Sequence, residues 1–340
     1  MLDGTAVSRR GINGNAIERL EGRVPQFDEK VPPGGYRWWY LDGVSDCGTY
    51  GLTVIAFIGS VFSPYYAWSG RKDPENHVAM NVALYAPGGD LWAMTERGRG
   101  SLQRDASTIR IGPSSMTWDD DGLLLNFSEV AVPRPPFRLL PKRIEGSVRV
   151  RFDTTNRKIF KLDQKGKHNW WPVAPVAGIE TSFSDRTACN WSGHGYLDAN
   201  WGSEPLEDGF NRWDWARTRC EEDQAVVVYD LTEADGARRK LRLHFTRNGS
   251  HVLNADLQQT PLPTGFWGVR RSVPSEESAS SIRTLEDSPF YVRSLIETEL
   301  LGAKRVAMHE TFNGSRFASP FVKMMLPFRM PRYTGGAMPA

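Results

Sequence analysis

The sequence predicts an all-β protein built from antiparallel strands, with little helix. Short runs in which apolar and polar residues alternate recur along the chain, and this period of two is typical of strands with one buried face. Sequences that favour tight turns separate several of these runs. Helical periodicity is nearly absent, so the crossover helices that a parallel sheet requires are missing. Barrels or sandwiches of antiparallel strands therefore remain.

The strands and turns can be assigned from particular segments. Residues 81–85 and 91–95 flank the sequence Pro-Gly-Gly-Asp, which indicates a hairpin, and further reversals are predicted at 117–123 and 247–250. Alternating runs predict additional strands at 123–130, 147–153, 225–231 and 240–246. Two segments are predicted to be loops, because 133–141 is rich in proline and 274–289 is polar and rich in serine.

A chain of 340 residues is longer than a domain with a single hydrophobic core usually is, so two domains are expected. The segment 171–178 (WPVAPVAG) carries two prolines and several small residues, and it divides the β-rich part into comparable halves. We therefore predict a partly irregular N-terminal extension at 1–30, β domains at 31–175 and 176–332, and a flexible tail at 333–340.

Composition excludes several classes of function. The net charge of +2 is too small to indicate a nucleic-acid partner. No segment has the apolar core of a secretory signal or the roughly 18 apolar residues of a spanning helix, so a cytoplasmic location is expected. The three cysteines lack metal-ligand spacing, which indicates neither a disulfide framework nor a zinc site. Phosphate-binding glycine loops, HExxH and GxSxG motifs are also missing, which favours a chemistry performed by side chains without a cofactor.

The most informative stretch is 168–217, which holds six of the twelve tryptophans and two of the six histidines. Aromatic walls with a few polar groups are typical of ligand sites. Within the predicted strand GYLDANW, alternation places Tyr196, Asp198 and Asn200 on one face and Trp201 on the other. That polar strip either faces a cavity or forms an outward surface over a buried core.

Four sequence blocks resemble the carotenoid 1,2-hydratase family, also called hydroxyneurosporene synthase, of photosynthetic and related bacteria. They are PPGGYRWWYLDGVSDCGTYGLTVIAFIGSVFSPYY, KHNWWPVAP, GHGYLDANWGSEPL and NRWDWAR. The resemblance implies two tandem lipocalin-like β-barrels and a hydratase that needs no cofactor. It implies addition of water across the terminal C1=C2 double bond of an acyclic carotenoid such as neurosporene or lycopene. The residues that the resemblance associates with activity are His168 and Trp170 in KHNWW, and Tyr196 and Asp198 in GYLD.

The same four residues suit this chemistry. Hydration of a trisubstituted alkene begins with protonation to a tertiary carbocation, which water then captures. A buried carboxylic acid stays protonated near neutral pH, so Asp198 is the expected acid, and His168 either tunes its proton or positions water. Aromatic faces stabilise the cation, with Trp170 the first choice beside Tyr196. Three further tryptophans are predicted to contact the substrate: Trp171, Trp191 and Trp201.

Two other functions stay open from the sequence. A lipocalin-type carrier would bind a carotenoid or isoprenoid without changing it, since barrels commonly enclose apolar ligands. A carbohydrate-active β-sandwich would also combine exposed tryptophans with carboxylates. The loop 133–143 mixes cations with apolar residues, a composition suited either to peripheral contact with an anionic inner membrane or to a plain solvated loop.

Overall fold

The computed structural model describes residues 22–134, 136, 138–184, 189–253 and 256–333. Most of the predicted N-terminal extension, 1–21, and most of the predicted tail, 334–340, lie outside the described residues. The strands are β1 (Tyr36–Ser45), β2 (Gly51–Ile58), β3 (Val78–Tyr85), β4 (Leu91–Arg97), β5 (Leu102–Arg104), β6 (Thr108–Ile111), β7 (Ser114–Asp119), β8 (Gly122–Ala131), β9 (Lys142–Arg151), β10 (Phe160–Lys161), β11 (His168–Phe183), β12 (Ser192–Gly202), β13 (Phe210–Glu221), β14 (Gln224–Glu233), β15 (Arg238–Thr246), β16 (Gly249–Val252), β17 (Gln258–Leu262), β18 (Arg271–Ser275), β19 (Ala279–Asp287), β20 (Tyr291–Leu300), β21 (Ala303–Asn313) and β22 (Arg332–Tyr333).

Helices are few and short in the described ranges. The α-helices are α1 (Pro64–Trp68), α2 (Leu206–Gly209), α3 (Gly314–Phe317) and α4 (Pro320–Met325). Single turns of 3-10 helix lie at Pro74–Asn76, Arg99–Ser101 and Leu326–Phe328. The prediction of a mainly antiparallel β protein with little helix is therefore confirmed.

The strands form two large sheets and one small one. The first sheet has the order β22-β4-β3-β2-β1-β12-β11-β9-β8-β7-β6-β5, with β10 paired to β11. The second has the order β16-β15-β14-β13-β21-β20-β19, and β17 pairs with β18 in a separate ribbon. Only β22 and β4 run parallel among the described pairs. The first sheet curls, since Val132 beyond β8 donates a backbone hydrogen bond to Trp92 in β4, but the described pairing closes neither large sheet. Two tandem barrels are not confirmed.

Three apolar cores lie against the two large sheets. The first lies inside the curl of the first sheet and includes Trp39 and Leu41 of β1. The second lies between the two large sheets and includes Trp38 and Tyr40, the neighbours of those residues on the opposite face of β1. The third core covers the outer face of the second sheet. Because both faces of β1 are buried, the strand is apolar throughout most of its length.

The predicted division at residues 175 and 176 falls inside β11, which runs unbroken from His168 to Phe183. Both prolines of WPVAPVAG lie in this strand, and the register against β12 shifts between Pro172 and Ala177, as expected where a proline removes a ladder donor. The chain leaves the first sheet only after β12 and enters the second at β13. The segment 171–178 is thus a strand and not a linker, and the division into two domains stays a prediction.

Most local predictions agree with the structure. The alternating runs lie in β8, β9, β14 and β15, and the three predicted reversals join β3 to β4, β7 to β8 and β15 to β16. The prediction of a loop at 274–289 is wrong, because β19 occupies Ala279–Asp287. This strand is at the edge of the second sheet and, among the described strands, pairs with β20 alone, so polar side chains remain exposed along much of it.

Two smaller expectations concern cysteines and membranes. The three cysteines are free; Cys47 is exposed, and Cys189 and Cys220 are partly buried. No group of side chains in the described ranges is arranged to hold a metal ion. Within those ranges, no helix has both the length and the apolar character needed to cross a membrane.

Candidate active site

Asp198 lies on β12, in the middle of the first sheet, and faces the second sheet. Its strand is paired with β1 on one side and β11 on the other. Tyr196 belongs to the core between the sheets, whereas Leu197 and Ala199 belong to the core inside the curl. The expected alternation along GYLDANW is therefore confirmed, and Asp198 and Asn200 line a cavity.

The Asp198 carboxyl group is held by three side chains. Its Oδ2 accepts hydrogen bonds from Trp170 Nε1 and from the Tyr196 hydroxyl, both at 2.9 Å. Its Oδ1 accepts one from Asn200 Nδ2 at 2.8 Å. Trp170 Nε1 also lies 3.0 Å from the Tyr196 oxygen. Three of the four residues predicted for activity thus form one hydrogen-bonded group.

Burial raises the pKa of Asp198 well above its ordinary value. The hydrogen bonds from Trp170 and Tyr196 act in the opposite direction, and the negative charges of Glu310 and Asp42 add to the increase. Asp198 is only 5% exposed, and no cation among the described residues forms an ion pair with it. The environment therefore favours the neutral acid.

Tyr196 and Trp170 lie behind this carboxyl group. Both side chains are completely buried, and burial raises the pKa of Tyr196 well above its ordinary value, so the phenol remains a neutral donor. The Trp170 ring meets Tyr229 edge to face at 5.6 Å and Phe160 at 5.4 Å. Trp170 contacts Asp198 through its N–H group, while its ring packs into the core.

His168 is also completely buried but does not hydrogen-bond to Asp198. Its Nδ1 pairs with the Tyr36 hydroxyl at 2.9 Å, and its ring packs 4.6 Å from Phe210. In the register of β11 and β12, His168 is opposite Gly202, four residues beyond Asp198. Burial lowers the pKa of His168, against the raising effect of Asp163 and Glu204, so its imidazole is neutral at pH 7. Tyr36 in turn stacks on Trp38 at 4.9 Å.

Two neighbouring cavities lie between the sheets. The inner cavity, of about 40 Å³, is lined by Trp38, Tyr40, Asp198, Asn200, Trp213, Trp215, Tyr229 and Glu310. The outer cavity, of about 240 Å³, shares Trp38, Tyr40, Trp213 and Glu310 with it. Its wall is mainly apolar and includes residues from the C-terminal segment, among them Leu326 and Met330. The outer cavity is therefore a mainly apolar space next to the cavity that Asp198 lines.

The aromatic wall around Asp198 differs from the one predicted. Trp38, Trp213 and Trp215 line the inner cavity, whereas Trp170 is not among its lining residues. Trp213 and Trp215 belong to the tryptophan-rich stretch, and their spacing by two on β13 is the signal that they share a face. Trp38 lies far away in the sequence, on β1, and only the pairing of β1 with β12 brings it to the site.

The three tryptophans predicted to contact substrate lie elsewhere. Trp171 and Trp191 pack in the core inside the curl, on the opposite side of the sheet from Asp198, and Trp201 packs against the same core. Trp171 donates a hydrogen bond to the Asn156 carbonyl, and Trp201 lies beneath the Arg37 guanidinium at 4.8 Å. The structure does not bring these three residues to either cavity. Trp171 and Trp201 point to the opposite face of β11 and β12 from Trp170 and Asp198, and Trp191 immediately precedes β12.

A charged network that the sequence did not reveal borders both cavities. Arg293 of β20 is 2.8 Å from Glu310 of β21 and 2.5 Å from Glu286 of β19. Burial opposes the charge on Arg293, but Glu310 and the other acidic neighbours outweigh it and raise the pKa of Arg293 above its ordinary value. The Tyr40 hydroxyl donates to Glu310 at 2.8 Å.

Comparisons with known proteins agree with the motif blocks. The sequence profile of the carotenoid hydratase family CrtC matches residues 54–338. The chain is 44% identical over 340 residues to the acyclic carotenoid 1,2-hydratase of Thiocapsa roseopersicina, covering 97% of this chain and 82% of that protein. It is 44% identical over 316 residues to the acyclic carotenoid 1,2-hydratase of Rubrivivax gelatinosus, covering 91% and 76%.

The fold is also found among solved structures. The AttH-designated protein of Nitrosomonas europaea superposes with a TM-score of 0.55 at 12% identity, covering 86% of this chain and 99% of that chain. At this level of identity the likeness concerns the fold alone.

Proposed function

We infer the chemistry of this site from one premise: the chain belongs to the carotenoid hydratase family CrtC. The protein is an acyclic carotenoid 1,2-hydratase, a hydro-lyase that adds water to acyclic carotenoids. The observation that carries the mechanism is a buried Asp198 beside an aromatic cavity, in surroundings that raise its pKa and favour the neutral acid. Neurosporene and lycopene are the substrates that we propose.

The reaction begins with proton transfer from Asp198 to C2 of the terminal double bond. Because Asp198 Oδ2 already accepts two hydrogen bonds, its lone pairs are occupied and the acid proton is carried by Oδ1. Proton transfer leaves a tertiary cation at C1 and a carboxylate stabilised by Trp170, Tyr196 and Asn200. General acid catalysis of this kind typically contributes about 10²- to 10⁴-fold.

The aromatic wall of the inner cavity stabilises the cation. A ring face within about 6 Å of a positive charge contributes about 0.5 to 2 kcal/mol. We assign this role to Trp38, Trp213 and Trp215, which line the cavity, and place Trp170 and Tyr196 as donors to Asp198. Together these ring faces lower the activation barrier by about a few kcal/mol. Catalysis needs a larger lowering of that barrier, so proton donation by Asp198 remains the main contribution.

His168 acts as a positioning residue in this scheme. Its hydrogen bond to Tyr36 fixes the ring that stacks on Trp38, and its strand carries Trp170 two residues later. A neutral, buried imidazole with these partners supports the geometry of the wall, and no proton passes through it.

Hydration in D₂O tests this mechanism. Purified protein with lycopene or neurosporene, without added cofactor, is expected to form 1-hydroxy product with deuterium at C2. Asp198→Asn, which is nearly the same size, is expected to bind the carotenoid and form no product. If Asp198→Asn keeps wild-type turnover, the acid is another group. If the wild type binds carotenoid but forms no product, it is a carrier.

We place the entrance of the outer cavity against the membrane in which carotenoids dissolve. Phe328 is 88% exposed next to Arg329, which lines the outer cavity. A neighbouring cleft joins these two residues to Arg138 of the loop 133–141, where Leu139 and Leu140 are 71% and 75% exposed. Residues 135 and 137 of that loop lie outside the described residues. Exposed apolar side chains among cations suit an anionic bilayer surface.

Sedimentation with vesicles of phosphatidylcholine and phosphatidylglycerol tests this contact. The triple change of Leu139, Leu140 and Phe328 to serine is expected to reduce the bound fraction severalfold. The matched control changes Val252 and Val306 to serine, since both are exposed apolar residues that line neither cavity. Equal binding by both variants and the wild type would contradict the membrane contact.

A further inference from the structure

Glu310 is a second carboxyl group in the inner cavity, and protonation by Asp198 makes no use of it. It projects from β21 of the second sheet, whereas Asp198 projects from β12 of the first. Glu310 lines the inner cavity with Asp198 and also lines the outer cavity. A molecule in either cavity therefore has Glu310 in its wall.

The hydrogen bonds of Glu310 leave one of its oxygens available. Tyr40 and Arg293 Nε both donate to Oε1 at 2.8 Å. Oε2 accepts no hydrogen bond from the residues that the structure describes. The Arg293 guanidinium holds Oε1, a cationic partner that Asp198 lacks among the described residues, and Oε2 stays available as an acceptor.

Asn200 provides a second acceptor in the same cavity. It is only 4% exposed, and its Nδ2 donates to Asp198 Oδ1. Its Oδ1 is buried and accepts no hydrogen bond from any described residue. Buried polar atoms in folded proteins almost always have a partner, so this oxygen calls for a donor. A cavity of about 40 Å³ has room for a water molecule, which needs about 10 to 15 Å³.

We propose that Glu310 is the catalytic base, which binds the attacking water together with Asn200 Oδ1 and accepts its proton as the C–O bond forms. This inference rests on the proposed protonation by Asp198. A water that donates both hydrogens to Glu310 and Asn200 directs its lone pair at the cation. The oxygen bonds to C1, one O–H bond breaks, and the proton moves to Glu310.

The proton balance then closes without another reactant. Asp198 has lost one proton to C2, and Glu310 has gained one from water. Transfer of that proton back to Asp198, within the cavity or through solvent after product release, restores both groups. The two carboxyl groups differ in environment as an acid and a base should, because Glu310 has a guanidinium partner and Asp198 has none among the described residues. The charge on Glu310 also helps to raise the pKa of Asp198.

Glu310→Gln in D₂O tests this role, because it separates protonation from water capture. Without the base, the cation still forms but returns to alkene by losing a proton. We expect hydration to fall about a hundredfold or more, while deuterium enters the recovered carotenoid or its double-bond isomer at a rate within a few-fold of wild-type turnover. Mass spectrometry of product and recovered carotenoid gives both rates. Hydration at the wild-type rate, or loss of both hydration and exchange in a folded variant, would overturn the proposal.

Two further variants guard against a purely structural effect. Glu286→Gln removes the other carboxylate that pairs with Arg293 but does not line the inner cavity, so any loss should affect hydration and exchange in the same proportion. Glu310→Asp keeps a carboxylate to pair with Arg293 but shortens the side chain, which moves the carboxylate away from the water. It should therefore lower the ratio of hydration to exchange by less than Glu310→Gln does. A wild-type ratio in Glu310→Asp, or a lowered ratio in Glu286→Gln, would count against Glu310 as the base.

The same measurement separates this proposal from the one on which it rests. Asp198→Asn should lose exchange as well as hydration, because no cation forms. If Asp198→Asn retains exchange, the proposed acid is wrong whatever Glu310 does. If only Glu310→Gln behaves like the wild type, the acid stands and the base is wrong.

Discussion

Replacing Asp198 by asparagine should make the protein more stable near neutral pH while removing its activity. The substitution keeps the size of the side chain and removes a group that titrates. Burial raises the pKa of Asp198 in the folded state, whereas in the unfolded chain it titrates near the ordinary value of about 3.9. At pH values between these two, the folded wild type binds a proton that the unfolded chain has released.

The sign and size follow from proton linkage. Because the folded state binds more protons in this window, the free energy of unfolding of the wild type falls as pH rises, by about 1.4 kcal/mol per pH unit for one group. The decline begins above pH 4 and stops once pH passes the folded pKa. Asp198→Asn has no such group, so its free energy of unfolding does not fall in this way. The free energy of unfolding of the variant minus that of the wild type should therefore increase by about 1.4 kcal/mol per pH unit in this window.

Urea unfolding at several pH values, followed by tryptophan fluorescence, measures this difference. The other titrating groups are common to both proteins and cancel to a first approximation. A difference that stays constant between pH 4 and pH 7 would refute the reasoning, because Asp198 would then titrate as in the unfolded chain. A difference that decreases with pH would mean that the folded state holds Asp198 ionised.

Three further substitutions test the surroundings of Asp198. Tyr196→Phe removes a donor to the carboxylate that forms on proton transfer; hydrogen bonds to charged groups contribute about 1.5 to 3 kcal/mol, so turnover should fall roughly tenfold to a hundredfold, and an unchanged kcat would contradict this role. Trp170→Phe should retain more activity than Trp170→Ala, which should also lose about 3 to 5 kcal/mol of stability; equal losses of activity would mean that turnover depends on the Nε1–H donor, which both variants lack, and not on the aromatic ring that phenylalanine keeps. His168→Asn, which can still pair with Tyr36, should retain more turnover than His168→Leu with an unchanged pH profile, and a lost limb of that profile would show direct proton transfer.

The part of the site that lies on one strand could be predicted from the sequence. Tyr196, Asp198 and Asn200 share a face because strand geometry fixes it, and the aromatic composition around them indicated a desolvated acid. Whether that face met a cavity or solvent depended on the second sheet, which is packed over it and comes from later in the chain.

The residues that the sequence did not reveal come from strands distant in the chain. Glu310 lies in the unremarkable segment AMHETFN, and nothing local distinguishes it from an exposed glutamate on a strand. It reaches the site because β21 pairs with β13, whose Trp213 and Trp215 line the same cavity. Strand pairing over such separations is not encoded in local periodicity, so the base could be found only from the fold.

Tryptophan density alone could not separate the two cores. Trp170 and Trp171 are adjacent on β11 and therefore face opposite sides of the sheet, one toward Asp198 and one toward the core inside the curl. Because both faces of these central strands are buried, apolar residues occupy both parities and the alternation loses its contrast. The same lack of contrast explains why the sequence predicts a domain boundary at the proline-containing start of β11.

A neutral Asp198 side chain in the folded protein is the central claim, and infrared spectroscopy tests it most directly. Glu129 is a second buried carboxyl group whose pKa burial raises, so the Asp198 signal must be isolated as the difference between wild type and Asp198→Asn. At pH 7 the wild type is expected to show a carbonyl stretch of an un-ionised carboxylic acid that shifts in D₂O and is lost in the variant. A difference spectrum with only an ionised carboxylate band would contradict the account.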